Sequence, residues 1–258
     1  MMRFLVCLKQ VPDSTVKVKV GAGGKAVATE GITWSMSPYD EYAVELALER
    51  KDADPTTVVS VVTVGSARGR DALRQALAMG CDDATLVNAP EDLPALDVAK
   101  ALAAVAKEMK PDIVLCGKQA SDDDQGLVGP AVAEFLGWPH VGMLTKAVSS
   151  GDAWELWREV EGGHEVWKAK PPVVGLVHKS DKEPRYPSLP GIMKAKKKEI
   201  PEKDLASLGV TASSPKIEVV AMVLPPQRGG GKIFKLDGDA KAVAEQVANL
   251  LHTESKVL

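Results

Sequence analysis

Four short stretches of the chain are apolar at nearly every position: Arg3 to Leu8, Val58 to Val64, Asp112 to Cys116 and Val173 to Val177. Short, β-branched runs without polar alternation predict strands buried on both faces, as in a parallel sheet. A further short strand is predicted at Ala84 to Val87. Helical patterns lie between them. Ser37-Pro-Tyr-Asp-Glu41 opens one helix, with Ser37 as N-cap, Pro38 at the first helical position and Glu41 near the capping-box site. A second follows Gly65-Ser66 and runs through Met79, and a third, rich in alanine, spans Leu93 to Met109. The alternation predicts an α/β fold, a parallel sheet with helices on both faces.

After Trp138 the pattern changes. Trp154 to Val160 and His164 to Lys168 alternate apolar and polar around Gly162-Gly163, which predicts a β-hairpin carrying Trp154, Trp157 and Trp167. Trp154 and Trp157 fall on opposite strand faces, so they are read as packing rather than as one aromatic platform. Gly21 to Gly24 marks a turn between two further short strands. In Glu183 to Ile200, three prolines and a glycine precede a lysine run, which predicts a protruding loop without a long regular element. Leu189 on that loop is an exposed apolar anchor candidate. A second extended stretch, Lys216 to Leu224, leads through Pro225 to Gly231 into an amphipathic helix, Asp239 to Leu251. The reading is therefore an α/β domain over 1–200 that includes a protruding loop at about 177–199, and an arm over 201–258 that docks on another surface.

Composition narrows the class. With 258 residues, 45% of them hydrophobic, the chain can bury a sizeable core. A formal charge of −3 argues against nucleic acid as the main partner, with the Lys194 to Lys198 cluster standing as a local exception. The first apolar run is too short for a signal peptide and no stretch reaches transmembrane length, so a cytoplasmic or mitochondrial-matrix location is expected and membrane embedding is not. Cys7, Cys81 and Cys116 include no CxxC pair and read as buried thiols. His140, His164, His178 and His252 share no ligand spacing and read as surface or hairpin residues.

The candidate chemistry centres on Pro111 to Pro139. A strand, a polar loop from Lys118 to Gln125 and a helix from Gly126 follow one another, with Leu127, Val128, Ala131, Val132 and Phe135 at helical spacing. The first N–H groups of such a helix point at the loop and can hold a phosphate, and Gly126 permits close approach. Asp124 is the expected helix cap, and another of Asp122 to Asp124 could accept a ribose hydroxyl. Contiguous acids rarely converge on one cation, so no metal site is assigned. Lys9 to Asp13 leaves the first strand at its C-terminal end, where α/β sheets form ligand crevices.

Several segments together resemble the electron transfer flavoprotein beta subunits: LVCLKQVPD, MSPYDEYAVELAL, ALAMGCDDA, DIVLCGKQASDDD, WREVEGGHEVWKAKPPVV, PRYPSLPGIMKAKKK and PPQR. The resemblance implies an adenine nucleotide alpha-hydrolase-like fold and an electron carrier rather than an enzyme. It implies a heterodimer whose alpha subunit holds most of the redox-active FAD and receives the C-terminal arm, while this chain carries a structural AMP. Carried over, the AMP contacts fall on Cys7, Ser37, Pro38, Tyr39, Asp40, Val64, Gly117, Lys118, Gln119, Ala120, Ser121, Asp122, Asp123, Asp124, Gln125, Gly126, Leu127 and Val128, with phosphate on the N–H groups from Gln125 to Val128. The recognition loop implies docking of acyl-CoA or related dehydrogenases of fatty acid beta-oxidation through Arg185, Tyr186, Leu189, Pro190, Ile192 and Met193, and onward transfer to a membrane quinone oxidoreductase. Ser14 departs from the aromatic residue expected near the flavin. Val11-Pro-Asp13 and Val128-Gly-Pro130 are similar to the electron-bifurcating branch, in which a second FAD replaces AMP, whereas Lys118 to Asp124 and the intact PRYPSLPGIMKAKKK favour AMP. The competing reading of another class is an ATP-binding or ATP-hydrolysing α/β enzyme, against which stands the lack of a nucleophile paired with a base.

Overall fold

The apolar runs become neighbouring strands because each has two faces to bury. In β1 (Arg3–Cys7), Phe4 and Val6 enter one hydrophobic cluster while Leu5 and Cys7 enter a second on the opposite face. The computed structural model describes residues 2–180, 182–214, 216–226, 230–236 and 238–257. Beyond β1 the chain forms β2 (Gln10–Pro12), β3 (Trp34–Met36), α1 (Pro38–Ala53), β4 (Val58–Gly65), α2 (Arg70–Met79), β5 (Asp83–Asn88), α3 (Ala95–Met109), β6 (Ile113–Gly117) and α4 (Val128–Leu136). It continues through β7 (His140–Ser150), β8 (Ala153–Val160), β9 (Gly163–Ala169), β10 (Val173–Val177), α5 (Leu189–Lys197), β11 (Glu202–Asp204) and α6 (Ala240–Leu250).

Nine strands form one sheet in the order β11-β5-β4-β1-β6-β10-β7-β8-β9. Pairing is parallel from β11 to β7 and antiparallel across β7, β8 and β9. The sheet is thus mixed, with the predicted hairpin extended by β7. Helices α1, α2 and α5 cover one face, and α3 and α4 the other. The chain moves outward from β1 to β4 and β5, then returns to β6 on the other side of β1. α/β sheets form their ligand crevices at such a reversal, which here falls at the C-terminal ends of β1 and β6.

Four sequence expectations are corrected. The Gly21 to Gly24 turn closes a single bridge, Val20 to Val27, rather than two strands. The recognition loop contains α5, because Ser188 Oγ accepts the Gly191 N–H at 3.1 Å as an N-cap and Pro190 sits in the tolerated first turn. The arm does not start at 201, since β11 pairs with β5 and Leu205, Leu208 and Val210 pack on the core. Lys216 to Leu224 joins no sheet among the described residues. Past Ser213, whose N–H and hydroxyl donate to the buried Asp97 at 2.8 and 2.6 Å, the chain touches the body through Met222 N–H to Gly24 O and Lys25 to Glu218. The α6 helix is capped by Asp239 and buries none of its residues. Gln227, Arg228 and Gly229 of the expected tether lie outside the described residues.

Candidate functional site

The crevice is organised by Asp40, in the first turn of α1. Its carboxylate accepts the Lys9 N–H at 2.7 Å and the Gly117 N–H at 2.9 Å, tying the ends of β1 and β6 to the helix. Burial pushes its pKa up to about 7, against the two N–H groups and the Lys9 charge that favour the ionised form. Gly117 is required here: a Cβ at that position would stand 2.5 Å from Asp40 Oδ1 and 2.8 Å from Tyr39 Cβ. Ser37 is the N-cap residue, with Pro38 following, yet its hydroxyl caps nothing. Among the described residues Ser37 Oγ is instead buried without a hydrogen-bond partner, and Glu41 accepts from Gln75 rather than closing a capping box.

The loop after β6 is held over β1 by Lys9, whose ammonium donates to Asp122 at 2.8 Å and Asp123 at 2.9 Å. This pairing offsets much of the acidic character expected to repel a phosphate. Asp124 does not cap α4. It sits in the left-handed region (φ 51°) and accepts the Gln119 side-chain amide at 2.6 Å. The Gln125 N–H is also committed, to Asp123 at 3.2 Å. The N–H groups of Gly126, Leu127, Val128 and Gly129 have no acceptor among the described residues and open the nine-residue α4. Gly126 adopts φ 60°, which favours glycine, beside the Lys118 carbonyl. Ala120 is half-buried and Ser121 exposed on the same loop.

The remaining predicted residues divide. Val64 lies near the end of β4, one strand beyond β1, and packs on the α3 and α4 side. The Cys7 thiol is turned into that same core. Tyr39 stacks obliquely on His178 at 5.6 Å, with the Lys118 ammonium 5.0 Å from its ring centre. His178 is therefore not an ordinary surface residue: it follows β10 at the crevice rim, where burial and then Lys118 hold its pKa below the ordinary value. Its place directly after an apolar run was the available signal, and the same holds for Lys9 after β1. Among the described residues, no group of three or more His, Cys, Asp or Glu is placed to hold a metal ion.

A model of the electron transfer flavoprotein domain matches residues 25–208. The electron transfer flavoprotein subunit beta of Bradyrhizobium diazoefficiens is 40% identical over 249 residues, covering 96% of this chain and 97% of its own length. That of Bacillus subtilis is 37% identical over 262 residues with both chains fully covered, and the Homo sapiens subunit is 38% identical over 253 residues, or 96% and 99%.

The chain belongs to the electron transfer flavoprotein beta subunits.

As an electron transfer flavoprotein subunit it is a carrier of electrons, and the α5 segment offers such a carrier an exposed apolar tip. Tyr186 is 95% exposed, Leu189 79% and Met193 58%, with Pro190 exposed beside them, whereas Ile192 packs on the core. Arg185 corrects the sequence reading. Its guanidinium donates twice to the buried Glu45, at 2.8 Å each, and to Asp52 at 2.7 Å, so it fastens the segment to α1 instead of facing outward. At the far end, Arg74 of α2 donates to the carbonyls of Ala195 and Lys198. Gly191 lies so close to Ala78 O that a Cβ would overlap it. The tip is thus presented from a fixed base. No helix among the described residues is long and apolar enough to cross a membrane.

Proposed function

We propose that this chain pairs with an alpha subunit, holds a structural AMP in the crevice between β1 and β6, and presents α5 to acyl-CoA or related dehydrogenases. FAD, held mainly by the alpha subunit, supplies the redox chemistry. A membrane quinone oxidoreductase then receives the electrons, in the cytoplasm of a bacterium or in the mitochondrial matrix. The observation that carries the nucleotide reading is the set of N–H groups from Gly126 to Gly129, which have no acceptor among the described residues and open α4. A phosphate satisfies them through hydrogen bonds and the helix dipole. Asp40 and Lys9 set the spacing of the two walls, so their task is to hold the crevice open at one width. Against an ATP-hydrolysing reading stands the pairing of Asp122 and Asp123 with Lys9, which leaves neither positioned as a free base.

The test is to purify the chain with its alpha subunit and identify the released nucleotides by mass spectrometry. One AMP and one FAD per heterodimer are expected, and Gly126→Val should lower AMP occupancy while leaving FAD. Two FAD and no AMP would refute the AMP reading in favour of the bifurcating branch.

A further inference from the structure

Cys7 and Cys116 stand opposite each other in register on β1 and β6, the strands that flank the crevice. Both thiols are buried on the α3 and α4 side of the sheet. Neighbouring strands lie about 4.8 Å apart, inside the roughly 4.4–6.8 Å window of Cα separations that a disulfide accepts. Their Cβ atoms must still close by roughly 1 Å to reach disulfide spacing. Such a bond pulls on what rests above it, and that is the first turn of α4: a Cβ on Gly129 would lie 3.4 Å from Cys116 Cβ. The third cysteine, Cys81, belongs to the other face of the sheet and cannot join the pair.

We infer that Cys7 and Cys116 form a reversible dithiol/disulfide site, oxidised by hydroperoxides, whose closure loosens the first turn of α4. This goes beyond the carrier reading and does not rest on nucleotide binding. The neighbouring Cys116 and burial push the Cys7 thiol well above its ordinary range, and the attacking sulfur is assigned to Cys116, which faces the first turn of α4. Its thiolate displaces hydroxide from hydrogen peroxide, giving a sulfenic acid and, after protonation, one water. The Cys7 thiol then displaces the sulfenic oxygen as a second water, forming the S–S bond. In sum, two thiols and one peroxide give one disulfide and two waters, the sulfurs losing two electrons and the peroxide oxygens gaining them. A bond that draws two strands together is a labile one and is reopened by a dithiol reductant.

The experiment treats the full chain with hydrogen peroxide and maps its peptides without reduction, then measures amide hydrogen exchange. A linked peptide containing Cys7 and Cys116 is expected, reversed by dithiothreitol, with exchange over 128–136 at least threefold faster in the oxidised form. Cys81→Ala should behave like the parent, and Cys7→Ala should give neither the link nor the faster exchange. If Cys7→Ala fails to fold, Cys116→Ala serves the same purpose. Recovery of sulfinic acids without a link, or a link with unchanged exchange, would overturn the inference.

Discussion

Replacing Arg185 by alanine isolates the contact that fixes the docking segment. Four charged hydrogen bonds would be lost, two to Glu45 at 2.8 Å and two to Asp52 at 2.7 and 3.4 Å. The costs are unequal. The Asp52 side chain is 62% exposed, so its pair contributes at most about 1 kcal/mol. The Glu45 side chain is 6% exposed and would be left as a buried charge, a situation that costs about 3–5 kcal/mol. Because the Arg185 N–H still reaches Glu45 at 3.0 Å, the lower end applies, about 3 kcal/mol. For a chain of this size that lowers Tm by roughly 6–12 °C. Urea and thermal unfolding give the magnitude, and hydrogen exchange over 183–197 shows where the structure loosens. Arg185→Leu combined with Glu45→Leu should recover most of the loss, since no unpaired charge remains. A loss under about 1 kcal/mol, or a double variant as unstable as the single one, would refute the claim that Arg185 anchors the segment.

Leu189→Ala should leave stability unchanged, the side chain being exposed, while weakening dehydrogenase docking by about 2 kcal/mol, or some thirtyfold in apparent affinity; an unaltered titration places the anchor elsewhere. Asp40 has a folded pKa of about 7, above its unfolded value, so its contribution is complete near pH 4 and is lost as pH rises to 7. Between about pH 5 and about pH 7.5 wild type should therefore lose roughly 2–3 kcal/mol relative to Asp40→Asn in denaturant titrations, and a pH-independent gap would show that Asp40 titrates in the ordinary carboxylate range. Deletion from Gly230 onward removes α6, which buries nothing in this chain. The truncated chain should keep its α/β circular dichroism and melting temperature yet bind the alpha subunit weakly in gel filtration, and failure to fold alone would assign α6 to the core.

The strands at the centre of the sheet were legible because burial on two faces leaves no polar alternation to confuse. The strand β7, His140–Ser150, was not, although it lies between β10 and β8: it carries Gly142, and its far half has no fully buried position to mark it. The α5 helix was hidden by Pro187, Pro190 and Gly191, which read as breakers, although Ser188 caps and Gly191 is demanded by contact with α2. At the crevice, the loop and helix start from Gly117 to Val128 were read from the strand-loop-helix pattern and Ser37 to Asp40 came from the family resemblance; the structure sets Tyr39 and Asp40 against Gly117. What spacing could not convey was which polar groups would pair with one another. Lys9 takes Asp122 and Asp123, Gln119 takes Asp124, and Arg185 takes Glu45. The first and the last join distant segments, fixed by the fold and invisible in local pattern, while the Gln119 contact closes the loop on itself.

Electron transfer through the assembled complex tests the central claim most directly. The chain, purified with its alpha subunit, is mixed anaerobically with a catalytic amount of acyl-CoA dehydrogenase and excess acyl-CoA, and the flavin absorbance is followed. The account predicts that the oxidised-flavin absorbance of the complex is bleached, more slowly with Leu189→Ala, and returns when quinone oxidoreductase and quinone are added. Absorbance that stays unchanged, while the same dehydrogenase reduces a small dye in a parallel cuvette, would contradict it.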